Sequence, residues 1–244
     1  DLAPTWFAVG HSEGGQAALF ATRAAARHPE LDLAAAVAVA PSSNLQLALP
    51  GIALGAVPAD VAYGVYFLAG LSTVDETIDV PALLGPAARP HADLLLESGC
   101  LLEALDTLSD APAGDLFAMP DAEMQRLSDL LAEVGNPDLE PTVGPLLIVQ
   151  GSEDHDVPQF LTDDLVASLE DQGVDLTYRL IPGEGHDTVL GPTVCETLDW
   201  LADHGGPDPT ACEPALPRSG SSLATPLVCS QRRTRTIGAG VPVA

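Results

Sequence analysis

The sequence predicts an α/β protein: a mostly parallel sheet with flanking helices and a helical segment inserted into it. Three observations predict this. Four short apolar runs, three of them free of charge, alternate with stretches of helical period, as buried parallel strands and crossover helices do. About a hundred residues of a different, helical texture (45–141) separate the second run from the third. The chain has 244 residues and is 46% hydrophobic, enough for one sizeable core with an inserted subdomain.

Each element follows in order. The run "TWFAV" (5–9) is a short buried strand. An alanine-rich helix runs from Gly14 to His28, where Pro29 stops it. "LAAAVAVAP" (33–41) carries no charge and predicts a second strand buried on both faces. Helical period returns in "PHADLLLESGCLLEALDTL" (90–108) and "DAEMQRLSDLLAEVG" (121–135), with Gly/Pro breaks between. "PLLIVQG" (145–151) is the third strand, and 158–172 form an amphipathic helix ending at Gly173. "DLTYRLIPG" (175–183) alternates more than the other runs, as a strand near a sheet edge would. Residues 188–205 are mostly helical and finish at Gly205.

The domains expected are a core half at 1–44, a helical cap or lid at 45–141, a second core half at 142–213 and a disordered tail at 214–244. The tail boundary coincides with a switch in charge. All 35 acidic residues lie at or before Glu213, so residues 1–213 carry −30 and the remainder +4. All nine basic residues are arginine, and lysine is absent. A net charge of −26 argues against nucleic acid or an anionic membrane surface as partner.

The most apolar window, 45–71, is long enough to span a bilayer, but Pro50, Pro58, Asp60 and several glycines break it. No stable membrane insertion is expected. The chain opens on "DLAPTWFAVG", without the basic and apolar regions of a signal peptide. Four cysteines are too few for a disulfide scaffold. Cys195 and Cys212 bracket one helix and its following loop, a spacing that suits either a single bridge or two unpaired thiols.

The chemistry is concentrated in three loops. "GHSEG" (10–14) fits the strand–turn–helix pattern Gly-x-Ser-x-Gly. Such a turn strains the serine backbone, and glycines at Gly10 and Gly14 are expected to leave room where side chains would collide. It would lift the Ser12 hydroxyl above the sheet and aim the Glu13 amide at a substrate carbonyl oxygen. A serine nucleophile needs a base, and the base needs an orienting carboxylate. "QGSEDHDVP" (150–158) offers Asp154 just past the third strand, with Glu153 and Asp156 as neighbouring rivals. "PGEGHDTV" (182–189) offers His186 in a glycine-flanked loop past the fourth. His11 is too close to Ser12 to align on it and is expected to shape the pocket wall. His28 and His204 sit at helix ends, His91 in the cap and His155 beside the acid.

Together "GHSEGGQAAL", "GSEDHDVP" and "GEGHDTV" resemble the α/β-hydrolases, and the run from "VGHSEGGQAALFATRAA" to "PELDLAAAVAVAPSSNL" resembles the secretory lipase family in particular. The resemblance covers 5–205. It implies an α/β-hydrolase fold, and a serine esterase or lipase working through an acyl-enzyme, with the triad on Ser12, Asp154 and His186. It implies no cofactor or metal, and a small-molecule ester or lipid as partner, with transient contact to a lipid interface. It also implies export, which favours a Cys195–Cys212 bridge and leaves Cys100 without an evident partner. The fold places several strands ahead of the nucleophile strand, and one of their loops gives the second oxyanion amide. With four residues before the first strand, the chain is expected to be a fragment, and the tail composition is what a shifted reading frame would produce. A prolyl oligopeptidase-like peptidase, or an inactive hydrolase remnant, are the alternative readings.

Overall fold

The computed structural model describes residues 5–28, 30–55, 62–137, 144–209 and 212. The expected tail at 214–244, and the boundary at 141, lie outside the described residues. In chain order the elements are β1 (Thr5–His11), α1 (Glu13–Arg27), β2 (Asp32–Val39), α2 (Leu45–Ala53), α3 (Ala62–Ser72), α4 (Val80–Leu83), α5 (Leu101–Leu108), α6 (Asp121–Val134), β3 (Leu146–Gly151), α7 (Gln159–Asp171), β4 (Leu176–Ile181) and α8 (Leu190–Asp203). The strands are all parallel and lie in the order β1-β2-β3-β4, so β4 is an edge strand of the described sheet, as its alternation predicts.

Alternation along the central strands gives the sheet two apolar faces. Ala36 and Ala38 of β2 with Leu146 and Ile148 of β3 face one side, where they meet Leu19 of α1 and Leu165 and Leu169 of α7. Val37, Val39, Leu147 and Val149 face the other, against Val189 and the α8 residues Trp200 and Leu201. The small residues all lie on the α1 side. Alanines there let the helix backbone come close, and Gly15 completes the approach. A Cβ on Gly15 would stand 3.1 Å from the Val39 carbonyl oxygen and 3.2 Å from Pro41.

Between β2 and β3 the helices build a core of their own, with Leu49, Val65, Leu68, Leu84, Leu108 and Leu127 fully buried. Its outer side is clamped by Arg126, which pairs with Glu123 at 2.7 Å and Asp75 at 2.8 Å. Hydrogen bonds from the Thr77 hydroxyl and amide, then from Arg126, hold the Asp75 carboxyl down to about 2. The two ends of this segment are tied together and to α1. Asn136 accepts from the Leu45 amide at 3.1 Å and donates to Gln46 at 2.7 Å. From α1, Gln16 donates to the Gly135 carbonyl at 2.7 Å and Arg23 to that of Asn136 at 3.0 Å.

Three expectations need correction. The helical period over 90–108 is not one helix: a 3-10 turn (Arg89–His91), a π-helical turn (Leu94–Ser98) and α5 divide it. Gly99 is extended there and passes close to Leu94, whose carbonyl oxygen and side chain leave no room for a Cβ at that position. Second, the glycine at position 14 does not relieve a collision of its own side, since a Cβ there meets nothing within 4 Å. The constraint sits at Gly10, where a Cβ would overlap the Gly14 carbonyl, and at Gly15. Third, Cys100 is disulfide-bonded, not partnerless. In the apolar window α2 runs through Pro50 and ends at Ala53, Pro58 and Asp60 lie outside the described residues, and no described helix is long and apolar enough to cross a membrane.

The two glycines of the turn should therefore respond with opposite sign. Gly10→Ala is expected to lose about 1–3 kcal/mol of stability through overpacking. Gly14→Ala should be neutral or gain up to about 1 kcal/mol by restricting the unfolded chain. Urea midpoints of the two variants decide between this assignment and equal roles.

Candidate active site

Parallel strands put all their carboxyl ends at one edge of the sheet, and the three chemical loops leave from that edge. Ser12 follows β1 directly. Its backbone has φ 58° and ψ −123°, a region that side-chain-bearing residues rarely enter. The strain is held by bonds on both sides. The Ser12 amide donates to the Val39 carbonyl at 2.9 Å, and its carbonyl accepts from the Gln16 amide at 3.1 Å. Glu13 opens α1, so its amide has no acceptor one turn back in the helix. The positive end of this 15-residue helix begins directly after Ser12.

Asp154 is 4% exposed and accepts four hydrogen bonds. Oδ1 takes the amides of Asp156 at 3.0 Å and Val157 at 2.8 Å. Oδ2 takes Gln150 Nε2 at 3.0 Å and His186 Nδ1 at 2.8 Å. Glu153 and Asp156, its rivals by sequence, do not contact the imidazole by hydrogen bond. Gln150 is the residue that sequence reasoning missed. Fully buried on β3, it also donates to the carbonyls of Gly151 and Val157 and accepts from Thr162 at 2.7 Å. The signal was present: an amide inside the apolar run "PLLIVQG" must find partners when buried.

The His186 loop leaves the edge strand β4 and crosses the ends of β3 and β2. Gly183, at φ 79°, starts the crossing. Gly151 permits it, because a Cβ there would overlap the Glu184 backbone. A carboxylate can only accept, so His186 Nδ1 carries the proton toward Asp154, and Nε2 is left to accept from Ser12 Oγ at 2.9 Å. Burial disfavours the imidazolium. The Asp154 hydrogen bond, with the charges of Asp154, Asp156 and Asp187, outweighs burial and holds the His186 pKa above its ordinary value.

Two groups of possible metal ligands occur among the described residues, His11–His186–Asp187 and Asp154–Asp156–His186. Both include His186, whose ring nitrogens are already engaged by Ser12 and Asp154. A cation in either place would compete with that hydrogen-bond chain. His11 also departs from expectation. It does not line the cavity beside Ser12; its ring lies against His186, centroids 4.6 Å apart.

The cavity measures about 680 Å³ and takes in Ser12, Glu13 and the inner sides of α2, α3 and α6. Leu45, Tyr66, Phe67, Leu71, Val134 and Phe160 make most of its wall apolar, and Glu13 and Asp156 are its charged members. Burial raises the Tyr66 pKa, so the phenol stays neutral.

A serine on a strained turn, a histidine and a buried carboxylate are thus in hydrogen-bond contact at the carboxyl edge of a parallel sheet. The sequence profile of the alpha/beta hydrolase family matches residues 1–196. The chain belongs to the alpha/beta hydrolase family. The solved structures similar to this hydrolase include a Legionella pneumophila protein (TM-score 0.68, 16% identity, 87% of this chain and 59% of that one). The rice cell wall degrading esterase LipA of Xanthomonas oryzae gives a TM-score of 0.62 at 17% identity, covering 83% of this chain and 59% of that one. Candida antarctica lipase A gives 0.64 at 16% identity, covering 84% and 50%. At these identities the likeness establishes the fold, and the hydrolase chain spans between half and three fifths of each relative. No match is found among curated proteins.

Two outcomes follow from this geometry. A protonated His186 cannot accept the Ser12 proton, so a raised pKa moves the loss of activity on acidification to higher pH. The midpoint of the acid limb of kcat/KM should lie above about 6.5, and Asp187→Asn, which removes one raising charge, should shift it down. Gln150→Leu strips a donor from Asp154 and the acceptor from Thr162. It should destabilise the fold by about 1–3 kcal/mol and lower kcat, as denaturation and steady-state assays would read.

Proposed function

We propose that this hydrolase cleaves carboxylic esters through an acyl-enzyme, with Ser12 as nucleophile, His186 as base and Asp154 as orienting acid. The observation that carries this reading is an unbroken Asp154–His186–Ser12 hydrogen-bond chain that ends inside an apolar cavity. Ser12 Oγ attacks the ester carbonyl carbon while His186 Nε2 takes the hydroxyl proton. The carbonyl π pair moves to oxygen, where the Glu13 amide and the α1 terminus stabilise the charge. The imidazolium then gives its proton to the leaving alcohol. Water repeats the sequence on the acyl-enzyme and releases the acid. Asp154 keeps Nδ1 protonated and compensates the imidazolium without itself taking the proton.

The helical segment between β2 and β3 serves as the cap of this site. Its apolar wall favours the acyl side of the substrate, since each methylene that leaves water there contributes about 0.8 kcal/mol. Leu47, Val74 and Phe160 stand half-exposed on the lining, which supports transient contact with a neutral lipid interface. The Cys195–Cys212 bridge and the disulfide of Cys100 favour an oxidising, extracellular compartment.

Ser12→Ala should lower hydrolysis of nitrophenyl butyrate on the order of 10³-fold or more; undiminished turnover would overturn the mechanism. Across nitrophenyl esters, kcat/KM should rise roughly fourfold per added methylene until the cavity is filled. Aminoacyl anilides should not be cleaved.

A further inference from the structure

The loop that carries His186 has a mechanical difficulty. It starts on β4, and its imidazole works on β1, three strand spacings or about 14 Å away. The first part of the crossing is fastened to the end of β3. Ser152 donates its amide to the Ile181 carbonyl at 3.1 Å, its hydroxyl accepts from the Gly183 amide at 2.9 Å, and the Glu153 amide reaches the Glu184 carbonyl at 2.9 Å. Past Gly185 these ties stop. The Gly185 amide turns back to Thr188 Oγ1, within the loop itself.

On the far side a single ring takes over. His11 Nε2 lies 3.0 Å from the His186 carbonyl oxygen, and a carbonyl only accepts, so Nε2 carries a hydrogen. The His11 ring is tilted 45° against the His186 ring, and its Nε2 stands 3.9 Å from Asp187 Oδ1. His11 is also the last residue of β1 and the neighbour of Ser12.

Building on the hydrolase reading of Ser12, His186 and Asp154, we propose that His11 is a positioning residue that fastens the backbone of the base to the strand carrying the nucleophile. With the donor in place, one strand end sets the position of both reacting side chains. Without it, Asp154 still orients the imidazole, but the Cα of His186 is held from the β3 side alone. A displacement of about an ångström at a reacting pair costs up to about a hundredfold in rate. The substrate does not meet His11, so the loss falls on kcat and spares KM.

The test compares His11→Gln, His11→Phe and His11→Ala in the full chain, with kcat and KM on nitrophenyl butyrate and thermal midpoints for each. Gln brings an amide N–H within reach of the Nε2 position, whereas Phe keeps the ring and removes the donor. The expected result is a kcat loss of tenfold or more, up to about a hundredfold, in Phe and Ala at little changed KM, with most of it recovered in Gln. A Phe variant with undiminished kcat overturns the proposal, as does Gln no better than Phe, or a loss confined to KM. If Ala does not fold, the Gln and Phe pair carries the comparison. Ser12→Ala, run in parallel, separates the two readings. Activity retained there removes the hydrolase mechanism itself, whereas an inactive Ser12→Ala beside a fully active His11→Phe removes only the role of His11.

Discussion

A carboxylate removed from water must find donors for both oxygens, and much of this structure is arranged around that demand at Asp154. Two of its donors are amides of its own loop, which fixes the turn after β3. The third is a side chain of β3 itself, Gln150, which in turn needs Thr162 on α7. The fourth is the imidazole brought over from the far edge of the sheet. Strand, following helix and histidine loop are thereby registered on one buried charge. The raised pKa of His186 is the same charge seen from the other side of the bond.

The helical segment depends on the sheet differently. Its apolar residues pack on one another, not into the sheet, so its core is separate from the two that cover β2 and β3. What joins it to α1 is polar: Gln16 and Arg23 hold carbonyls at its exit, while Asn136 links exit to entry. The cavity is the space this arrangement leaves between two self-sufficient cores. Its wall is mostly apolar, with Glu13 and Asp156 as its charged members.

Much of this was legible in the sequence because it is local. A short charge-free run such as "LAAAVAVAP" reads as a strand buried on both faces, and glycine on each side of a serine marks a tight turn. The order of Ser12, Asp154 and His186 along the chain placed three loops at one sheet edge before any distance was known. The misreadings share a cause, since each concerns which atom lies across a gap. Gly10 and Gly15 meet other backbones and Gly14 does not, although the three are equally plain in the sequence. His11 is too near Ser12 to align on it and is expected at the pocket wall, but its hydrogen-bond partner lies 175 residues away. Over 90–108 the helical period persists across Gly99, but Gly99 takes an extended backbone with its amide on the Leu94 carbonyl, and the turn ends there.

The backbone of Ser12 carries one more consequence. A residue with a side chain at φ 58° and ψ −123° is held there at a cost of about 1–3 kcal/mol, from which glycine is exempt. Folding and reactivity therefore rank the candidates for this position in opposite orders. Selecting this chain for thermal endurance alone would draw glycine into the turn, and with Ser12 as the proposed nucleophile the sturdier protein would be inert.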